Sequence, residues 1–224
     1  MAELKSGVLG SPVGKIGNLV FRQMNGKTFV SNRPEKYNRS NSEKAKLSRS
    51  GFSTVVKFSK LICSYPVLKS CWKKARIEGT SPYHRIIKYN LPEIHLGLLT
   101  IKNRITPRGF NLSVFEITKE NGMLTFNLVI NELISDLNNP NLYFYAVNFL
   151  CNPVENKINP YELISFQKNI FTTDKTGLTT FIVDISGKDS LPFAKYLNGI
   201  IFLAVVAEVS GRIMRWTSTF ARQF

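Results

Sequence analysis

Residues 14–34 read GKIGNLVFRQMNGKTFVSNRP, and this stretch predicts a β-hairpin. Asn25-Gly26 separates two runs rich in apolar and β-branched residues. An Asn-Gly pair in that position is the strongest short-range hairpin signal, because both residues tolerate positive φ. Pairing outward from the turn places Met24 opposite Lys27. A lone two-stranded hairpin is marginal in water, so we expect these strands to pack against other structure.

The hairpin supplies a first set of candidate interaction residues. They combine the turn, the flanking glycines and nearby basic side chains: Gly14, Lys15, Gly17, Asn25, Gly26 and Arg33. A strand edge with free backbone groups can pair with a strand of another protein. The hairpin is therefore a predicted interaction element.

Three helices are predicted after the hairpin, over residues 41–64, 67–77 and 82–90. The first should begin at a capping box formed by Ser40 and Glu43. Its apolar residues recur at helical spacing and place Phe52 on the stripe that should be buried. Gly51, in the middle of the same helix, is expected to mark a close contact with another element.

The hydrophobic period changes from about 3.6 to 2 after Pro92. Seven strands are predicted: 111–117, 123–130, 142–150, 163–171, 178–185, 199–209 and 212–219. Seven short strands separated by turn residues are typical of an antiparallel sandwich of the immunoglobulin type. Residues 200–207 are apolar on both faces, which favours a central strand.

The predicted fold class is therefore α+β. Residues 1–91 form a basic region of hairpin and short helices, residues 92–108 a connector, and residues 109–224 an immunoglobulin-like β-sandwich. A chain of 224 residues is long enough to bury a sizeable core.

The charge is unevenly distributed along the chain, whose net charge is +15. Residues 1–91 hold 18 Lys and Arg against 4 Asp and Glu, whereas residues 92–224 hold 12 against 11. Such asymmetry indicates an anionic partner for the first part, although a solvated basic face is the simpler alternative. The candidate polyanion-binding residues come from the helices: Lys46, Arg49, Lys57, Lys60, Lys69, Lys73, Lys74 and Arg76.

The sequence predicts neither catalytic residues nor a metal or cofactor site. His84 and His95 are the two histidines, and neither has Cys, Asp or Glu at metal-ligand spacing. The three cysteines suit small core residues of a reducing compartment better than a disulfide framework. The first residues show no signal peptide, and the longest apolar run is too short to span a membrane. We therefore expect synthesis in the cytoplasm.

Several short motifs together resemble an uncharacterised family of bacterial and phage proteins. The resemblance rests on the segments Gly14–Gly17, Asn25–Lys27, Arg33-Pro34, Arg49–Phe52 and Thr80–Asn90. The polar segment at residues 38–43 lacks the Gln that the family carries before its first helix. The resemblance implies a hairpin, a basic proline loop, a helical insert and a β-sandwich tail. Similar openings in phage structural proteins imply a role in assembly.

The predicted function is that of a non-enzymatic structural or assembly protein, incorporated into a phage virion or a phage-like particle. Its partners would be other protein subunits, in a homo- or hetero-oligomer. The alternative is a module that binds nucleic acid or another polyanion through its basic N-terminal part. An enzyme remains a third reading, which would need a pocket joining a histidine, a cysteine and a carboxylate.

Overall fold

The computed structural model describes most of the chain. The described residues are 2–4, 12–24, 26–33, 36, 39–120, 123–155, 157–170, 178–184 and 190–224. The chain divides into two compact units, Met1–Ser42 and Glu43–Phe224.

The first unit is a four-stranded antiparallel sheet. Its strands are β1 (Ala2–Leu4), β2 (Gly14–Ile16), β3 (Leu19–Met24) and β4 (Lys27–Asn32), in the order β1-β4-β3-β2. The central pair β3–β4 is the predicted hairpin, and its register matches the prediction because Met24 pairs with Lys27.

Glycine makes both tight turns of this sheet possible. Gly26 has φ +75° in the β3–β4 turn, and Gly17 has φ +57° between β2 and β3. Positive φ strains a residue with a Cβ, so the sequence signal and the backbone agree. Asn25, the other predicted turn residue, lies outside the described residues.

The second unit begins with three helices. They are α1 (Glu43–Ser64), α2 (Pro66–Lys74) and α3 (Pro82–Asn90), and a 3₁₀ turn over Leu91–Glu93 follows α3. All three predicted helices are confirmed. Ser81 caps α3, since its side chain accepts a hydrogen bond from the amide of His84.

The start of α1 differs from the prediction in one respect. Ser40 accepts a hydrogen bond from the amide of Ser42 at 3.4 Å, but the helix starts only at Glu43. Ser40 therefore lies before the helix, and Glu43 occupies its first turn instead of the third position that a capping box requires.

The rest of the second unit is mainly antiparallel sheet. Its strands are β5 (Ser113–Glu120), β6 (Met123–Val129), β7 (Asn141–Pro153), β8 (Tyr161–Ile170), β9 (Leu178–Asp184), β10 (Tyr196–Val209), β11 (Arg212–Trp216) and β12 (Phe220–Gln223). Two short helices lie among them, α4 (Asn131–Ile134) and α5 (Ser190–Lys195). Each predicted strand is present. The last corresponds to β11 and ends at Trp216 instead of Thr219, and β12 was not predicted. The predicted end residues Phe171 and Ile185 lie outside the described residues.

The eight strands form two sheets. One has the order β5-β6-β9; the other has the order β11-β10-β7-β8, with β12 also paired to β10. In immunoglobulin-type domains the first, second and fifth strands share one sheet, and the third, sixth and seventh share the other. These strands follow that arrangement, with the fourth strand, β8, placed beside the third, β7.

Three layers result, because the larger sheet is covered on both faces. Successive residues of a strand point to opposite faces. On β7, Phe144 stacks on Phe181 of the smaller sheet, with ring centroids 4.2 Å apart. Its neighbour Tyr145 belongs to the other core, together with Phe58 and Trp72 of the helices. The fully apolar run 200–207 in β10 is thereby explained, since both of its faces are buried.

This layering also places the boundary between units elsewhere than the sequence suggests. The predicted connector was residues 92–108, whereas the two units divide after Ser42. The reason is that α1–α3 use their apolar stripe to cover the second face of the larger sheet, and this packing makes helices and sheets one unit. Trp72 illustrates the integration, since its ring nitrogen donates a hydrogen bond to the carbonyl of Ile105 at 2.9 Å.

Candidate protein-binding surface on the helical layer

The basic residues predicted from the sequence all lie on exposed positions of the helical layer. Lys46, Arg49, Lys57 and Lys60 are on α1, Lys69, Lys73 and Lys74 are on α2, and Arg76 follows α2. Residues 44–77 contain nine Lys and Arg and no Asp or Glu. Beyond Glu43 in the first turn of α1, the charged side chains of α1 and α2 are therefore all basic.

On α1 these charges form one stripe. At 100° per residue, positions 46, 49, 57 and 60 fall on the side of the helix opposite the buried Val55 and Ile62. The stripe runs for roughly 21 Å along the helix. We call these four residues the basic stripe.

The basic residues of the two helices are spread across the width of the sheet beneath them. The ammonium group of Lys57 lies 4.9 Å from the ring centroid of Tyr161 on β8. Lys74 donates a hydrogen bond to the carbonyl of Ile213 on β11. Tyr161 is in register with Asn198 of β10, whereas Ile213 is in register with Glu208. These anchors are therefore separated by about 14 Å across the sheet and by about 33 Å along it. The candidate residues thus form a broad layer rather than one focused site.

Two further basic residues of this region have structural partners. The guanidinium of Arg85 donates to the carbonyls of Trp72, Lys73 and Ala75 at 3.0, 2.8 and 3.1 Å. It thereby satisfies carbonyls left unpaired at the end of α2, which explains why that helix ends at Lys74 instead of the predicted Ile77. Lys88 forms an exposed ion pair with Glu78.

An apolar groove lies beside the N-terminal half of α1, between this helix and the segment 91–97. Its volume is about 690 Å³. Four large side chains that line it are substantially exposed, namely Leu47, Phe52, Leu91 and Leu96. Lys44 and Arg49 line the same groove, so apolar walls meet basic residues there. We call it the α1 groove.

Phe52 is the clearest correction within this surface. The sequence pattern placed it on the buried stripe of α1, but its side chain is 52% exposed. It lies at the margin of that stripe, where the neighbouring segment does not cover it. The groove itself could not be inferred from sequence, because its second wall comes from residues about forty positions further along the chain.

The floor of the groove depends on a close approach of two glycines. A Cβ on Gly51 would lie 2.9 Å from a methyl group of Ile94, and one on Gly97 would lie 2.8 Å from the hydroxyl of Ser50. The hydroxyl of Thr54 donates to the carbonyl of Gly97 at 2.7 Å. The predicted close contact at Gly51 is therefore confirmed.

The predicted hairpin residues lie in the first unit. Gly14 and Lys15 are on β2, opposite Phe21 and Val20 of β3. Beyond the end of β4, the amide of Arg33 donates to the carbonyl of Asn18 at 2.7 Å. The sheet buries little of its own surface, since Thr28 is the one buried side chain among those described there.

His95 and Cys151 line one cavity of about 310 Å³, but none of its described lining residues is Asp or Glu, so it lacks the carboxylate that the enzyme hypothesis requires. Nδ1 of His84 lies 2.9 Å from the hydroxyls of Thr80 and Ser81 at the start of α3. Burial raises the pKa of the Cys71 thiol to about 12, which keeps it protonated. Over the described ranges, no three His, Cys, Asp or Glu side chains are grouped so that they could hold a metal ion.

Comparison with family models, curated proteins and solved structures finds no match for this chain. The resemblance to a bacterial and phage family therefore stays a prediction. Among the described helices, none combines the length and the apolar character that crossing a membrane requires.

Proposed function

We propose that this protein is a non-enzymatic assembly protein that acts through protein–protein contacts, as a structural component of a phage virion or phage-like particle. The observation that supports the proposal is the α1 groove with the basic stripe beside it. Contiguous exposed apolar side chains on a folded protein mark interaction sites. Phe52 and Leu96, which are 52% and 67% exposed, are the strongest such residues in the groove.

The charges define the partner that this surface fits. With nine basic and no acidic residues in positions 44–77, two copies of the surface would repel each other. The partner at this face is therefore a different protein segment, amphipathic and acidic. An amphipathic helix that lays its apolar side in a groove is a common mode of recognition.

Nucleic acid is the second candidate partner for the same layer. Phosphates need only Lys and Arg, so the basic stripe alone would serve. Duplex DNA offers nothing to the apolar walls of the groove, however. The combination of apolar and basic residues therefore favours a protein partner.

Fluorescence anisotropy with two defined probes separates the candidates. The first is an amphipathic peptide of about 18 residues with Leu and Glu at helical spacing; the second is a DNA duplex of about 20 base pairs. We expect Phe52→Ser to weaken peptide binding at least tenfold and to leave DNA binding unchanged. Met214→Ser is the matched control, because Met214 is equally exposed but lies on β11.

The charge-reversing double variant Lys57→Glu/Lys60→Glu completes the design. Nucleic-acid binding would be established by three results together. The wild type binds DNA with an affinity that falls steeply with salt, the double variant loses this binding, and the wild type does not bind the peptide. Failure of both probes at low salt would refute the binding role of this surface. The particle role is tested separately by mass spectrometry of purified particles. We expect to find the protein in them, and its absence would contradict this role.

A further inference from the structure

A second cavity lies between the two sheets of the sandwich, away from the helical layer. Its volume is about 290 Å³, close to the lower end of the range for small-molecule sites. Its walls are mainly apolar and include Ile117 and Leu124 from the smaller sheet, Ile201 from β10, and Phe193 and Phe224. A macromolecule could not enter a space of this size, but a small organic molecule could.

Asn148 makes this cavity chemically unusual. It is fully buried in the central strand β7 and lines the cavity. Among the residues that the structure describes, neither its amide nitrogen nor its amide oxygen has a hydrogen-bond partner. Buried polar groups are nearly always paired, so an unpaired amide directed into a cavity indicates a ligand that pairs with it.

Two other buried asparagines show what a purely structural amide looks like in this fold. Asn90 donates to the carbonyls of Ile86 and Arg104 and accepts from the amide of Arg104. Asn103 donates to the carbonyl of Asn90 and accepts from the amide of Thr100. Both are satisfied within the protein, whereas Asn148 is not.

Arg222 supplies a positive charge at the exposed side of the same cavity. Arg222 on β12 pairs with Ile201 on β10, and Ile201 in turn pairs with Asn148 on β7. Directly paired residues present their side chains on the same face of a sheet. The three residues therefore form a row, in which the backbones of Arg222 and Asn148 are about 10 Å apart.

We propose that this cavity binds a small organic carboxylate with an apolar body and a second polar group. The carboxylate pairs with the guanidinium of Arg222, because the planar fork of donors on a guanidinium matches the two oxygens of a carboxylate. The apolar body lies over Ile201. The second group, an amide or hydroxyl that can both donate and accept, pairs with Asn148. This site is independent of the α1 groove and of the assembly role.

Ligand-observed NMR with N-acylated leucine and phenylalanine tests the proposal, because these probes carry a carboxylate, an apolar side chain and an amide. We expect saturation transfer to both acids and at least tenfold weaker binding of their neutral primary amides. Asn148→Leu and Arg222→Leu should each weaken binding at least tenfold. Arg212→Leu, an exposed arginine of β11 outside the cavity, should leave it unchanged.

The stability of the variants separates loss of the site from loss of the fold. Asn148→Leu removes an unpaired buried amide, so its thermal midpoint should rise by a few degrees while binding falls. Absence of binding by every acid in the set would overturn the proposal. Binding that survives in both Asn148→Leu and Arg222→Leu would overturn it as well, because the ligand would then occupy another place.

Discussion

Replacing each of two buried asparagines by leucine should change stability in opposite directions. Asn148 and Asn90 are both fully buried, so burial alone would predict similar effects. They differ in their partners. Both the nitrogen and the oxygen of the Asn90 side-chain amide are hydrogen-bonded, whereas neither atom of the Asn148 amide has a partner within the described structure.

The magnitudes follow from these contacts. An unsatisfied buried polar group costs about 1–3 kcal/mol, and a volume-conserving core substitution costs less than about 1.5 kcal/mol. Asn148→Leu should therefore raise the free energy of unfolding by about 1 kcal/mol. Asn90→Leu strands the backbone amide and the carbonyl of Arg104, which both pair with the Asn90 side chain, and should lower it by about 3–5 kcal/mol.

Urea unfolding followed by circular dichroism measures both changes, and thermal unfolding provides a second readout. For a chain of this size, 1 kcal/mol corresponds to about 2–4 °C in midpoint. Asn148→Leu should thus melt a few degrees higher than the wild type, and Asn90→Leu about 10 °C lower. If Asn148→Leu were destabilised as strongly as Asn90→Leu, the amide of Asn148 would have a structural partner and the reasoning would be refuted.

Three further predictions concern a turn, a helix end and a thiol. Gly26→Val places a β-branched residue at φ +75° and should destabilise the β3–β4 hairpin by about 1–2 kcal/mol; hydrogen exchange of the amides of β3 and β4 would accelerate, and unchanged exchange would contradict the turn geometry. Arg85→Ala removes the donors to three carbonyls at the end of α2 and should lower stability by about 2 kcal/mol in urea unfolding. The control Lys88→Ala, which breaks only an exposed pair, should leave the midpoint unchanged. Cys71 should resist iodoacetamide at pH 8 in the native protein, because burial raises its pKa to about 12 and only the thiolate reacts; mass spectrometry that finds Cys71 labelled faster than the half-buried Cys63 would contradict its burial.

Most regular elements of this protein could be predicted from the sequence, although β1, β12 and the short helices α4 and α5 were not. The hairpin register, the three helices and the seven predicted strands are all present. Each of these depends on neighbouring residues, through a turn pair such as Asn25-Gly26 or through an apolar period within one element. The run 200–207, which is apolar on both faces, also indicated that β10 is a central strand, because a strand needs two apolar faces only when both are covered.

The sites could not be read in this way, because each is assembled from elements far apart in the chain. The α1 groove needs the segment 91–97 beside α1, and the exposure of Phe52 follows from where that segment stops. The row formed by Asn148, Ile201 and Arg222 exists only because β10 pairs with β7 on one side and β12 on the other. Periodicity states which face of a strand is apolar, but it carries no information about which strand lies next to it. Strand pairing is decided by packing across the whole unit, and that packing made the helices part of the sheet domain and left one buried amide without a partner in the described structure.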